Sequence, residues 1–134
     1  MLSKEENELI CRTGPGTPMG EVFRRFWMPA VLSDELEADG EPVRLKLLSE
    51  EMVAFRDSSG KVGVLERQCP HRLADMWFGR NELNGLACAY HGWKFDVEGN
   101  CVDMPTETAE SGFKHKVKMR HYPSVEFGGV VWVY

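Results

Sequence analysis

Four side chains in two short runs are suited to chemistry. Cys69 and His71 lie in Cys69-Pro70-His71-Arg72, Cys88 and His91 lie in Cys88-Ala89-Tyr90-His91-Gly92-Trp93, and 16 residues separate the halves. Thiolate and imidazole at C-x-H and C-x-x-H spacing make a metal site, because each run brings two ligands to one end of a tight loop and two such loops can clamp one centre from opposite sides. Each half offers one thiolate and one imidazole, which suits a two-iron, two-sulfide cluster with one iron on both cysteines and the other on both histidines. Exchanging two anionic thiolates for neutral imidazoles makes such a cluster about two charge units less negative than an all-cysteine one, so it accepts an electron more readily. The pattern therefore suits an electron relay. Gly92 lets the second loop turn closely past an inorganic core, and backbone N–H groups in such loops can point at sulfur. Structural zinc uses the same four donor atoms, but zinc fingers tend to pair cysteine with cysteine and histidine with histidine, whereas both halves here are mixed.

Beyond the ligand runs, Gly14-Pro15-Gly16-Thr17-Pro18-Met19-Gly20 and Asp103-Met104-Pro105 extend a recognisable pattern. Together with Cys69-Pro70-His71-Arg72 and the run from Cys88 to Phe95, they resemble the N-terminal half of Rieske non-haem iron oxygenases, in particular the phthalate dioxygenase-like group that hydroxylates aromatic rings. The resemblance covers essentially all 134 residues. It implies a Rieske [2Fe–2S] cluster bound by Cys69, His71, Cys88 and His91, with the histidine-held iron on the outside as the port for the electron. Family members often carry Gly-Ala-Ser after the first ligand pair, where this chain has Leu73-Ala74-Asp75. Respiratory Rieske proteins carry an additional disulfide across the loops, and neither loop here has the cysteine for one. High-potential relatives place serine and tyrosine where this chain has Trp93 and Phe95, which lack the O–H donors that stabilise a reduced cluster, so the resemblance implies a low potential.

Such oxygenases continue into a second domain, where two histidines and a carboxylate hold a mononuclear Fe(II). The expectation is that residues 1–134 form one Rieske domain with a helical N-terminal segment of about 1–30, and that the catalytic domain is absent from this chain. The implied partners are a reductase or ferredoxin as electron donor and an oxygenase catalytic domain, contributed by a neighbouring subunit of a homotrimer that His91 would face. A free-standing Rieske ferredoxin is the rival reading, disfavoured by the N-terminal helices that small ferredoxins usually lack. A zinc-stabilised interaction domain is the remote one.

The formal net charge of −5 argues against nucleic acid, which needs a concentrated basic face. No apolar run approaches a membrane span, and Met1-Leu2-Ser3-Lys4-Glu5-Glu6 lacks the apolar core of a secretion signal, so the cytoplasm is the expected compartment. A hydrophobic share of 43% with 28% charged residues fits one globular domain whose core needs no disulfide. Cys11 and Cys101 then read as buried, inert thiols.

The elements that position the loops are short. Glu5 to Arg12 reads as a helix with Leu9 and Ile10 inward. Thr17 and Pro18 read as the N-cap and first position of a helix to about Phe26, with Val22, Phe23 and Phe26 on the apolar face and Arg24 and Arg25 solvated. Trp27, Met28 and Pro29 then lead into a segment that reads as irregular. Period-two patterns predict strands over 43–47, 52–56, 62–67, 86–89, 93–97, 116–122 and 130–134, with turns at Ser58-Ser59-Gly60 and Glu98-Gly99-Asn100. The expected class is mainly β: an antiparallel Rieske-type sandwich or small barrel with short N-terminal helices and both cluster-binding loops at one tip. His115 and His121 would share one strand face, in a structural role. Trp77, Tyr90 and Trp93 read as aromatic packing around the ligands, and Asp103-Met104-Pro105 as a segment over the cluster.

Overall fold

A computed structural model describes all of residues 1–134. Two helices, α1 (Lys4–Cys11) and α2 (Pro18–Phe23), precede ten short strands. These are β1 (Met28–Leu32), β2 (Val43–Leu47), β3 (Glu50–Arg56), β4 (Val62–Glu66), β5 (Arg80–Asn81), β6 (Leu86–Ala87), β7 (Lys94–Phe95), β8 (Cys101–Asp103), β9 (Ser124–Phe127) and β10 (Val130–Val133). They form three antiparallel sheets, ordered β1-β10-β9, β2-β3-β4 and β5-β6-β7-β8. The mainly antiparallel class expected from the sequence holds.

The β2-β3-β4 sheet is the shared wall. Met52, Val53, Ala54 and Phe55 are all buried, and they alternate between two cores. Val53 and Phe55 join Leu65, Met76, Leu86, Phe95 and the two loop cysteines on one side. Met52 and Ala54 join Val31, Leu45, Val64, Val131 and Val133 on the other. A strand covered on both faces reads as a continuous apolar run, which is why polar alternation fades in β3. Burying each of these larger side chains contributes about 1.5–3 kcal/mol. Gly63 lies opposite Phe55 in the ladder, and a Cβ there would sit 2.9 Å from both the Phe55 ring and the Val97 Cα. That close approach fixes how the turn after β7 stacks on the shared wall.

Several local expectations need correction. Ser3 caps α1 in a capping box with Glu6, and Thr17 caps α2 ahead of Pro18, so the helix starts follow the sequence signals. Their apolar faces do not: Leu9, Ile10, Val22, Phe23 and Phe26 are exposed, and Gly20 is the only buried residue of either helix. The N-terminal helices rest on one another and contribute nothing to either core. Arg24 is no solvated helix face, since it pairs with Glu50 at 2.7 Å and donates to the carbonyls of Thr13 and Leu48. Cys11 is exposed, Cys101 is buried, and neither forms a disulfide.

The region 116–122 is not a strand. Phe113–Lys116 forms a 3-10 helix, and beyond it Lys118 and His121 make single bridges to Asn100 and Leu65. The chain there laces across two different sheets, with Met119 N–H donating to Gly99 O and Tyr122 N–H to Val64 O, so no continuous ladder forms. His115 and His121 therefore share no strand face. The segment read as irregular after Trp27 is β1, and the hairpin β9–β10 turns at Gly128 and Gly129, both in the left-handed region.

Glu50 ties α2 to the sheet, and its titration is testable. Partial burial pushes its carboxyl up, but hydrogen bonds from Arg24 and Tyr122 and the charges of Arg24 and Arg120 outweigh this and hold it below the ordinary value of 4.5. A depressed native value stabilises the fold above the unfolded one and loses that contribution as pH falls through the native one. Glu50→Gln is expected to lower stability at neutral pH and to flatten the decline below about pH 4.5, which denaturation at a series of pH values will show.

Candidate metal centre

The two ligand runs fold into the same loop. Gln68 bridges to Asp75 across the base of residues 69–74, and Ala87 pairs with Lys94 across the base of 88–93. In the first loop the Cys69 N–H donates to Ala74 O at 2.8 Å and the Leu73 N–H donates to Cys69 O at 2.8 Å. In the second, the Cys88 N–H donates to Trp93 O at 2.8 Å and the Gly92 N–H donates to Cys88 O at 2.9 Å. The turn depends on a left-handed residue in the fifth position, Leu73 at φ +58° and Gly92 at φ +75°. Glycine adopts that conformation freely; leucine does so at a steric cost of about 1–2 kcal/mol. The Leu73-Ala74-Asp75 departure thus preserves the loop's shape, but with strain.

Charge at the base braces the first loop. Asp75 Oδ2 accepts from Arg67 Nε and Nη2 at 2.9 and 2.8 Å and from Arg44 Nη2 at 3.0 Å, while Asp75 Oδ1 accepts from the Trp77 N–H. Partial burial raises the Asp75 carboxyl, but these bonds and the Arg67 charge outweigh it and leave it below the ordinary range. The Arg44 guanidinium also lies 3.9 Å from the centre of the Trp77 ring. Sequence reading missed this brace because its members come from β2, the end of β4 and the loop exit. A comparison of the two six-residue loops would have revealed Leu73, since Cys69-x-x-x-Leu73 and Cys88-x-x-x-Gly92 align position for position.

The four donors meet at the loop tips. Cys69 and Cys88 are 1% and 2% exposed and belong to one core cluster. The rings of His71 and His91 sit 4.5 Å apart, each half-buried. The loops thus sort the mixed pairs of the sequence into a sulfur pair inside and a nitrogen pair outside. Burial pushes the Cys69 thiol up to about 11, against the opposing pull of backbone N–H groups of His71 and Arg72 aimed at its sulfur. A buried thiol of this kind ionises only when a cation compensates it. His71 Nδ1 is buried without a hydrogen-bond partner, a condition that metal coordination relieves. Burial, His91 and Arg72 lower the His71 value, which favours the neutral form able to ligate.

The donors stand as two pairs, buried thiols inside and half-buried imidazoles outside. One tetrahedral zinc needs four converging donors, whereas a two-iron core takes two pairs. The donor set therefore fits a [2Fe–2S] core. Its cover fits as well. Met104 is buried, and a Cβ on Gly92 would lie 3.2 Å from Pro105 Cγ, so the 103–105 segment presses on the second loop as expected. Trp93 stacks on His71 with centroids 4.3 Å apart, and Tyr90 lies against His91 at 3.8 Å.

A small antiparallel β domain that carries a sulfur pair and an imidazole pair on twin loops defines a class of iron–sulfur electron carriers. Residues 26–123 match the Rieske [2Fe-2S] domain. This chain belongs to the Rieske [2Fe–2S] domain family. It is 54% identical over 134 residues to the 3-chlorobenzoate-3,4-dioxygenase oxygenase subunit of Comamonas testosteroni, covering 100% of this chain and 31% of that one. It is 50% identical over 135 residues to the phthalate 4,5-dioxygenase oxygenase subunit of Pseudomonas putida, again covering 100% and 31%. Among solved structures, dicamba monooxygenase bound to dicamba superposes with a TM-score of 0.72 at 30% identity, over 83% of this chain and 34% of that one. The chain thus spans about a third of the length of these relatives.

The strain at Leu73 gives a direct test. Leu73 is 67% exposed, so its side chain has little packing to lose. Leu73→Gly is expected to stabilise the chain by about 0.5–1 kcal/mol, the relieved left-handed strain less the extra unfolded-state entropy of glycine. Thermal or denaturant unfolding of the two proteins measures it.

Proposed function

We propose that this chain is the electron-relay domain of a ring-hydroxylating oxygenase component, with Cys69 and Cys88 holding one iron of the cluster and His71 and His91 the other. The separation of buried thiols from half-buried imidazoles carries this reading. When bound, the cluster supplies reversible one-electron storage. The chain's own residues do the rest. The thiols would hold one iron in the dry core, and the imidazoles would hold the other near the surface. Backbone N–H groups at His71 and Arg72 favour charge on the Cys69 sulfur. Residues 1–134 act as one domain, with about 1–30 as a helical lead-in.

On this reading the electron comes from a reductase or ferredoxin and leaves to a mononuclear iron in a separate catalytic domain, supplied by a neighbouring subunit of a homotrimer facing His91. The relatives named as dioxygenase oxygenase subunits support the assignment to an oxygenase rather than to a free carrier. Exposed Leu73 on the first loop and exposed Tyr90 against His91 offer an apolar rim to either partner. No helix is long and apolar enough to cross a membrane, and two further free thiols, Cys11 and Cys101, suit the reducing cytoplasm.

Protein prepared anaerobically with iron and sulfide is expected to be red-brown, with iron and acid-labile sulfide in equal amounts. His71→Ala and His91→Ala should each abolish the cluster. Colourless protein with stoichiometric zinc would disprove the assignment.

The relay role makes a second expectation. The loaded chain should accept one electron at a potential on the order of −150 mV, the low end of the Rieske range, and oxidise no aromatic substrate by itself. Neither Trp93 nor Phe95 carries an O–H donor, so Trp93→Ser with Phe95→Tyr should raise the potential. Voltammetry of both proteins checks it, and a wild-type value well above zero contradicts the reading.

A further inference from the structure

Thr106 lies outside the ligand loops, yet its hydroxyl reaches into their aromatic wall. Its Oγ1 accepts a hydrogen bond from Trp93 Nε1 at 2.8 Å. The Trp93 ring, 6% exposed, lies nearly parallel to that of His71, with an interplanar angle of 6° and centroids 4.3 Å apart. Phe113 meets Trp93 edge-on at 6.4 Å. Trp93 belongs to the second loop and His71 to the first, so this stack is a contact between the loops.

Two neutral aromatic rings gain little from close parallel overlap, because their faces carry like-signed charge. The same arrangement becomes favourable when one ring is positive, since the indole face is negative. An imidazole bound to iron is such a ring, and it is more positive on an oxidised centre than on a reduced one. Donation of the indole N–H to a hydroxyl fixes the ring in its plane and leaves more electron density on its face.

We propose that Thr106 is a positioning residue that holds the Trp93 indole flat against His71, so that the stacked pair fixes the orientation of this imidazole and favours the oxidised cluster. The proposal rests on the reading of His71 as an iron ligand. Thr106 fits the role because it is itself exposed and follows Met104 and Pro105, which anchor its backbone in the core and against Gly92. A residue that only satisfied a buried indole N–H would leave the electronic properties of the cluster unchanged.

The test uses the cluster-loaded 134-residue chain. Thr106→Val preserves volume and removes the acceptor; Thr106→Ser restores it. At equal iron and sulfide content, Thr106→Val is expected to shift the reduction equilibrium toward the reduced form by about fivefold, the size of one cation–π contact. A tenfold shift corresponds to about 59 mV for one electron. It should also change the histidine-nitrogen hyperfine couplings of the reduced cluster, and Thr106→Ser should return both to the wild-type values. An unshifted potential with unchanged couplings in Thr106→Val overturns the proposal, and loss of the cluster in His71→Ala shows in the same series that the ligand reading stands. Retention of a complete cluster by His71→Ala overturns the ligand reading and the proposal with it. If Thr106→Val does not load, Trp93→Phe decides: it keeps a ring but cannot donate to Thr106, and a wild-type potential and couplings there overturn the proposal.

Discussion

Everything at the tip depends on two thiols held side by side in a hydrocarbon core. Cys69 and Cys88 are as buried as Phe55 and Phe95, with which they share one cluster of side chains. A thiolate in such a place is unfavourable unless a cation and directed dipoles compensate it. The first loop provides such dipoles, because it winds back so that the backbone N–H groups of His71 and Arg72 face the Cys69 sulfur. The walls that keep water out also serve the fold. Val53, Leu65, Met76 and Leu86 complete the core and line the floor beneath the cysteines, so stability and the environment of the centre are set by the same contacts.

Twin loops need not be equivalent loops. The second has glycine where the backbone turns left-handed, and Pro105 closes over it. The first has leucine there, and at its exit Asp75 joins the loop to Arg67 and Arg44. These charge-assisted bonds hold the loop exit to β2 and to the end of β4. The brace thus acts on the same loop that carries the strained turn. The left-handed turn also leaves Leu73 exposed on the first loop.

The grouping of the four candidate donors was legible in the sequence because C-x-H and C-x-x-H fix donor type and loop size locally. The strands with one exposed edge or a clear turn were legible too: β2, β4 and the Gly60 and Gly99 turns fall where alternation and turn residues placed them. What failed was whatever depends on a distant partner. Leu9, Ile10, Val22 and Phe23 have the spacing of a buried helix face, yet no sheet lies beneath them. Arg24 looked solvated because Glu50, its partner, is 26 positions away. Residues 116–122 alternate like a strand but bridge two sheets in turn, so their pattern records burial without a ladder. Trp93 is the instructive case at the site. Its size announced packing, but neither its stack on His71 nor its bond to Thr106 can be read from spacing, since one partner lies on the other loop and one on the covering segment.

The order of donors from inside to outside gives the domain a direction. Sulfur sits in the core and nitrogen at the edge, so the shortest way for an electron to leave is through an imidazole ring. Tyr90 and Trp93 press on those rings from the sides, which restricts their motion and narrows water access without covering the tip. A rigid donor changes little in geometry when its charge changes, and the dry floor would give a small solvent response around a metal held by the thiols. Electron entry and exit would then meet a low reorganisation cost, while the potential would be set by what touches sulfur and imidazole. The loops build the binding site, but the residues immediately behind them, Trp93 above all, fix how readily the electron is released.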